Sequence, residues 1–266
     1  MKMRAGRAVS RRRALLVMLF LAITGIAVFA AVRGPQQEEQ ALPNQFPVAD
    51  VNAAESTDVA KAKLRRARGS KYDLRDKSIA KQDTRNFAIK ETDPPVLLEL
   101  IPSHAPALQA IPAGQSDAIV IGEVTNSEAH LSNDKTSVYS EFTVRVDEVI
   151  KNNSSIALFP SALISTERRG GRVRFPSGKT VLRGVYGRNM PQPQRHYVFF
   201  LEYQSEGESF PIITAYEIRA HHVFPLDGTA ETDTAASPFA AYMAYRAAEE
   251  SSFINEVKSA AQRGQK

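Results

Sequence analysis

Residues 116–151 read "SDAIVIGEVTNSEAHLSNDKTSVYSEFTVRVDEVIK", and the alternation of apolar residues along them decides the fold. The first part, through Asn126, is an apolar run ended by Thr-Asn, as expected of a strand covered on both faces. From Val138 the chain alternates: Val138, Phe142, Val144 and Val146 fall on one side, and Tyr139, Glu141, Thr143 and Arg145 on the other. The alternation slips at Asp147-Glu148, which moves Val149 to the formerly polar side. A bulge that bends the strand produces such a slip, and small barrels turn corners that way. Between the two strands, "SEAHLSNDKTS" reads as a polar loop.

Working outward, "SALISTER", "RVRF", "KTVLRGV", "HYVFFLEY", "PIITAYEI" and "HHVF" read as further strands. Eight short strands without intervening helices predict a mainly β fold, a small barrel or sandwich over residues 113–228. "HYVFFLEY" is apolar at both parities and is expected to be the most central strand. Residues 229–266 follow as a C-terminal helical segment. Ser237 is a good N-cap, Pro238 suits the first helical position, and Phe239, Met243, Ala247, Ile254 and Val257 form a stripe at helical spacing. The stripe is expected to pack on the barrel; a partner-binding helix is the alternative.

Upstream lies "RRRALLVMLFLAITGIAVFAAVRG". Ala14 to Val32 is 19 uncharged residues, enough at about 1.5 Å each to cross about 30 Å of hydrocarbon. Lys2, Arg4, Arg7, Arg11, Arg12 and Arg13 precede it, and the 25 residues after Arg33 hold five acids and no base. This asymmetry keeps the N-terminus cytoplasmic and sends the rest outside. Residues 1–33 therefore read as a retained signal anchor or, with cleavage after Ala30, as a signal peptide. "SRRRALL" also has some likeness to a twin-arginine export signal. The expected location is the cytoplasmic membrane with the C-terminal domain outside, or the periplasm or exterior after cleavage.

The pI of about 9.4 has its source in the same segment. Residues 1–33 hold seven of the 34 Lys and Arg and none of the 29 acids, so the remainder carries a net charge of −2. No nucleic-acid surface follows from that balance. Without cysteine there is neither a disulfide nor a thiolate site. Residues 34–112 have the composition of a poorly ordered linker. Within it, residues 61–90 carry eleven bases and three acids. This stretch reads as a solvated spacer or as a patch for anionic lipid or wall polymer, with a short helix over 58–68 capped by Ser56 or Thr57.

Gly178-Lys179-Thr180 imitates the end of a phosphate loop. The first glycine of that motif belongs five residues before Gly178, where Val173 stands, and "KTVLRGV" reads as strand rather than helix. Pro176-Ser177-Gly178 is therefore expected to be a hairpin turn, and no nucleotide or other cofactor is implied. His104, His130, His196, His221 and His222 show no metal-ligand spacing, and no Gly-x-Ser-x-Gly elbow is present. The candidate binding surface is the arginine-rich stretch: Arg172, Arg174, Arg183 and Arg188 with Tyr186, beside Arg168 and Arg169, suited to carboxylate or phosphate. The alternative reading of these arginines is solubility and cross-strand pairing with acids.

"SDAIVIGEVTNSEAHLSNDKTSVYSEFTVRVDEVIKN", with "RHYVFFLEY" and "ITAYEIRAHHVFPLDG" after it, resembles uncharacterised exported bacterial proteins that carry a netrin-like, tissue-inhibitor-of-metalloproteinase-like domain. The resemblance covers about 115 residues and implies an OB-like β-barrel with a helix packed on it. Inhibitors of that type place an N-terminal cysteine on a protease zinc, and this chain has none, so their mechanism is not implied. The expected function is a non-catalytic binding or interaction module outside the cytoplasm, with a protein or an anionic envelope component as partner. The alternative is an envelope-acting hydrolase, for which Glu141, Glu217 and His222 are the first candidates.

Overall fold

The computed structural model describes residues 46–54, 56–74, 88–99, 108–228 and 238–263. The apolar run Ala14–Val32 lies outside them, as does Ser237. Among the described residues no helix is long and apolar enough to cross a membrane.

In chain order the first elements are β1 (Val48–Asp50), α1 (Val59–Ser70) and β2 (Val96–Glu99). The strands β3 (Ala118–Leu131), β4 (Val138–Asn152), β5 (Leu163–Arg169), β6 (Gly171–Arg174) and β7 (Thr180–Val185) come next. Then follow β8 (His196–Leu201), β9 (Phe210–Arg219) and β10 (His222–Pro225). The chain ends with α2 (Ala240–Met243), β11 (Ala248–Glu249) and α3 (Glu250–Arg263).

The eight expected strands are β3 to β10. Five of them close into a barrel in the order β3-β4-β5-β9-β8, with β8 pairing back onto β3. All neighbours are antiparallel except β5 and β9. Closure removes the exposed edges that an open sheet would leave. The inward parity of each strand fills the interior: Val120 and Val124 of β3, Phe142, Val144 and Val146 of β4, Tyr197, Phe199 and Leu201 of β8, Phe210 and Ile212 of β9. The bulge expected at Asp147 is present. The β3–β4 register shifts between Ile121 and Gly122, and again between Ile119 and Val120 and between Val124 and Asn126.

The other parity of β8, Val198 and Phe200, joins Ile119 and Tyr216 on the outside of the barrel. Phe253, Val257 and Ala261 of α3 pack there with Phe239 and Tyr242. Each of the larger side chains among these contributes about 1.5–3 kcal/mol when withdrawn from water. Thus β8 is buried on both faces, as its composition requires.

Three expectations are corrected. The C-terminal helix is not continuous: Ala247 takes φ +63°, and Ala248–Glu249 pairs with β10 as a short strand before the helix restarts. The buried set is therefore Phe239, Tyr242, Phe253, Val257 and Ala261, while Met243 and Ala247 are not buried. β3 continues through "SEAHL", where Ala129 is buried, and the polar loop is only 132–137. Finally, the linker 34–112 is folded over much of its described part. β1 adds in parallel to β6 and β2 in parallel to β7, making a second sheet β1-β6-β7-β2. Ala49 and Ile89 are buried there with Val173, Val181 and Val138. The described residues all belong to one unit, Asn44–Lys266.

Candidate functional site

The basic helix α1 lies on the outward face of β3, β4 and β5. Register on that face stacks side chains into rows: His130, Tyr139 and Arg169; then Glu128, Glu141 and Glu167; then Asn126, Thr143 and Ser165. Three carboxylates at one level on three neighbouring strands repel one another. The fold answers with three cations from α1 and its C-cap. Arg65 Nη2 lies 3.2 Å from Glu128 Oε2, Arg68 Nη1 2.8 Å from Glu141 Oε2, and Lys71 Nζ 2.8 Å from Glu167 Oε1.

The pairing follows from two spacings. Three residues of α-helix rise about 4.5 Å, and neighbouring strands lie about 4.7–4.9 Å apart. A helix laid across the strands with a cation at every third residue therefore delivers one cation per strand. Burial deepens along this ladder, the glutamate side chains being 46%, 15% and 0% exposed in turn. At the deep end burial pushes the Glu167 carboxyl up, and the attraction of Lys71 and Arg68 does not cancel it.

The cations also hold the turn before β9. Arg68 Nε donates to Gly207 O at 2.8 Å and Nη2 to Glu208 O, while Lys71 Nζ lies 3.3 Å from Ser209 Oγ. Tyr72 stacks on Tyr139 with ring centroids 4.7 Å apart, and the Tyr139 hydroxyl donates to Arg65 O. Beyond the helix, Leu74 N donates to Asp134, and Asn133 Nδ2 donates to Arg66 O. Gly69 permits that approach, because a Cβ there would sit 2.6 Å from Asn133 Oδ1. At the other end the cap is Asp58 rather than Ser56 or Thr57: its Oδ1 accepts from Ala60 N and Lys61 N.

Three buried polar atoms of this face have no hydrogen-bond partner among the described residues: Glu141 Oε1, Glu167 Oε2 and His130 Nε2. Burial lowers the pKa of His130, which favours the neutral ring. Beside the ladder a polar cleft of about 210 Å³ opens over Asn126, Thr143 and Ser165, walled by Glu128, Glu141 and Lys61.

The arginines singled out from the sequence do not form one open cationic surface. Arg174 is bidentate to Asp50, at 2.6 and 2.9 Å, and Arg183 pairs with Asp93. Arg172 donates to Thr180 Oγ1 across the β6–β7 hairpin. Arg168 is buried against Asp227, and Arg188 lies near that pair, its pKa lowered chiefly by burial. Tyr186 is half-buried. The carboxylates these arginines meet are thus the chain's own, supplied largely by the segment before the barrel. Pro176-Ser177-Gly178 is the hairpin turn expected, with Gly178 at φ +87° and its N–H donating to Phe175 O. Lys179 Nζ binds the carbonyl of Glu91.

Of the hydrolase candidates, Glu141 meets Arg68 and lies 4.0 Å from His130, Glu217 pairs with Arg195, and His222 Nδ1 lies beside Ala220 O. These are three separate sets of contacts. The sequence reading missed Glu128, Glu167, Arg65, Arg68 and Lys71. The third-residue spacing of those cations was the available signal.

The sequence matches no protein-family model, and no curated protein is significantly similar to it.

Proposed function

We propose that this chain is a non-catalytic binding module held outside the cytoplasm, with the five-stranded barrel as its recognition unit. The observation that carries the reading is the register-matched ladder. The outward face of β3, β4 and β5 holds a basic helix through one cation per strand, a geometry that selects a segment by charge and spacing. The strand order supports an OB-type barrel: the ring runs first, second, third, fifth, fourth, with third and fifth parallel. Such barrels bind through the face of their second and third strands, here β4 and β5. The netrin-like resemblance agrees with that barrel. The location rests on Ala14–Val32 and the basic residues before it, as a retained anchor or a cleaved signal. The partner on this reading is a protein or other envelope component presenting basic groups to the carboxylates of this face, rather than the anionic component that the arginines suggested, with neither nucleic acid nor nucleotide involved.

Incubating the full chain with an envelope fraction tests the reading. A binding module retains a component in stoichiometric amount, loses it on combined Glu128→Gln and Glu141→Gln, and keeps it when Arg172, Arg174 and Arg183 are changed to Gln. Steady release of soluble product that stops on Glu141→Gln or Glu217→Gln would establish the hydrolase alternative instead.

A further inference from the structure

We infer that α1 is an exchangeable occupant of the acidic face, and that the face takes in trans a basic helix with a cation at every third residue. The inference rests on the binding-module reading. It begins from a contrast between the two helices on the barrel. α3 is fixed by Phe253, Val257 and Ala261, all buried in an apolar cluster. α1 buries only Arg68 and Gly69 and leaves Val59 82% exposed. Elements with few buried apolar contacts open locally at low cost, and ion pairs are the part of a fold that salt weakens most.

The second observation is that α1 fits its site incompletely. It satisfies one oxygen of Glu141 and one of Glu167, and the other oxygen of each is buried with no partner. Such atoms are rare in folded proteins and call for an explanation. Lys71 meets Glu167 as a point charge, whereas an arginine at that rung presents a planar fork matched to both carboxylate oxygens, its nitrogens not being taken by Gly207 O and Glu208 O as those of Arg68 are. A helix with the spacing of Arg65, Arg68 and Lys71, but with arginine at the third rung, is the better ligand. Meanwhile α1 stays tethered, because Asp50 and Asp93 on either side of it are held by Arg174 and Arg183. Displacement is then competition between a tethered weak ligand and a free stronger one.

Hydrogen exchange of the full wild-type chain tests release without any substitution. The α1 amides are expected to exchange by an opening separate from the barrel, about two- to threefold faster at 0.5 M than at 0.05 M NaCl, since salt screens chiefly the exposed Arg65–Glu128 rung and the buried rungs much less. Exchange of α1 only together with β3 and β4, unaffected by salt, would overturn the inference. A labelled peptide of residues 56–74 tests the face directly. It should bind a chain carrying Arg65→Gln, Arg68→Gln and Lys71→Gln, with near-ultraviolet dichroism reporting that the barrel is intact. The peptide with Lys71→Arg should bind about tenfold tighter, the worth of one charge-assisted hydrogen bond. Equal binding of a peptide with all three cations changed to Glu, or no binding of either basic peptide, refutes the inference. Envelope capture that persists beside such a failure would leave the binding-module reading standing and place its ligand elsewhere.

Discussion

Replacing Asp227 by asparagine removes a charge while keeping the shape of the side chain, and its surroundings set the cost. Arg168 Nη1 and Nη2 donate to Asp227 Oδ1 and Oδ2 at 2.7 and 2.8 Å, and Thr214 Oγ1 donates to Oδ2 at 2.9 Å. The two charged side chains are 2% and 1% exposed. Arg188 lies close enough that Asp227 also offsets the repulsion between it and Arg168. Asp227→Asn therefore strands one guanidinium in the interior and worsens the position of a second. Breaking a buried pair in this way costs about 3–5 kcal/mol. For a unit of this size that is a fall in Tm of about 6–20 °C.

The double change Arg168→Met with Asp227→Leu should recover at least half of the loss, because neither charge is then buried alone. Full recovery is not expected, since Arg168 also donates to Asn189 O and Ile213 O. Urea unfolding followed by near-ultraviolet dichroism is the assay, with eight tyrosines and no tryptophan supplying the signal. An Asp227→Asn protein within about 1 kcal/mol of wild type, or a double variant showing simple additivity, would refute the reasoning. Wild-type stability together with lost envelope capture would return Arg168 to the list of ligand residues.

Other outcomes follow from the same contacts. Glu249 accepts from Ser251 N and Ser252 N at the start of α3, which depresses its carboxyl to about 2 from 4.5. A depressed folded pKa means that this support is present above the ordinary value and lost as pH falls from about 4.5 to about 2. Helical dichroism should fray over that window in wild type and lose the dependence in Glu249→Gln. Glu167 has the opposite sign: its folded pKa is raised, so its contribution is present below the unfolded value and is lost as pH rises through the folded one. Glu167→Gln should flatten that limb of a stability-versus-pH profile measured by urea midpoints. Gly69→Ala alone should leave stability nearly unchanged, because Asn133 must give up Arg66 O to admit the methyl. In an Asn133→Ala background the same change should gain about 1 kcal/mol of helix propensity. Phe253→Ala should cost about 3–5 kcal/mol, and Ile254→Asp less, since only Phe253 is fully buried.

The barrel was readable because its strands obey local rules. Val138 to Val146 alternate, the slip at Asp147 marks a real bulge, and the double-faced apolar content of residues 196–201 announces a strand covered on both sides. The break in the C-terminal helix left no such trace: Ala247 and Ala248 are good helix formers, and only pairing with β10 bends the chain there. The ladder was illegible for a deeper reason. Glu128, Glu141 and Glu167 are far apart in sequence and reach one level only through two strand pairings, one of them with a register shift at Val124/Asn126. Slipping either pairing by one residue would turn the next row of side chains outward. The segment 46–99 lacked an apolar pattern because much of its attachment is electrostatic, through Asp50, Arg65, Arg68, Lys71 and Asp93.

The parallel addition of β1 and β2 to the β6–β7 hairpin fixes an order in time. Asp50 must wait for Arg174, 124 residues later, which at ordinary rates of synthesis is a delay of roughly 6–25 s. During that interval β1 and β2 lack their partner strands β6 and β7, while β3 and β4 can pair as soon as both have emerged and α1 can engage Glu128 and Glu141 from then on. The two strands synthesised before the barrel are thus attached only after β3 to β5 are available. A chain stopped before Thr180 would leave β2 without its partner strand, and one stopped before Gly171 would leave β1 without its own.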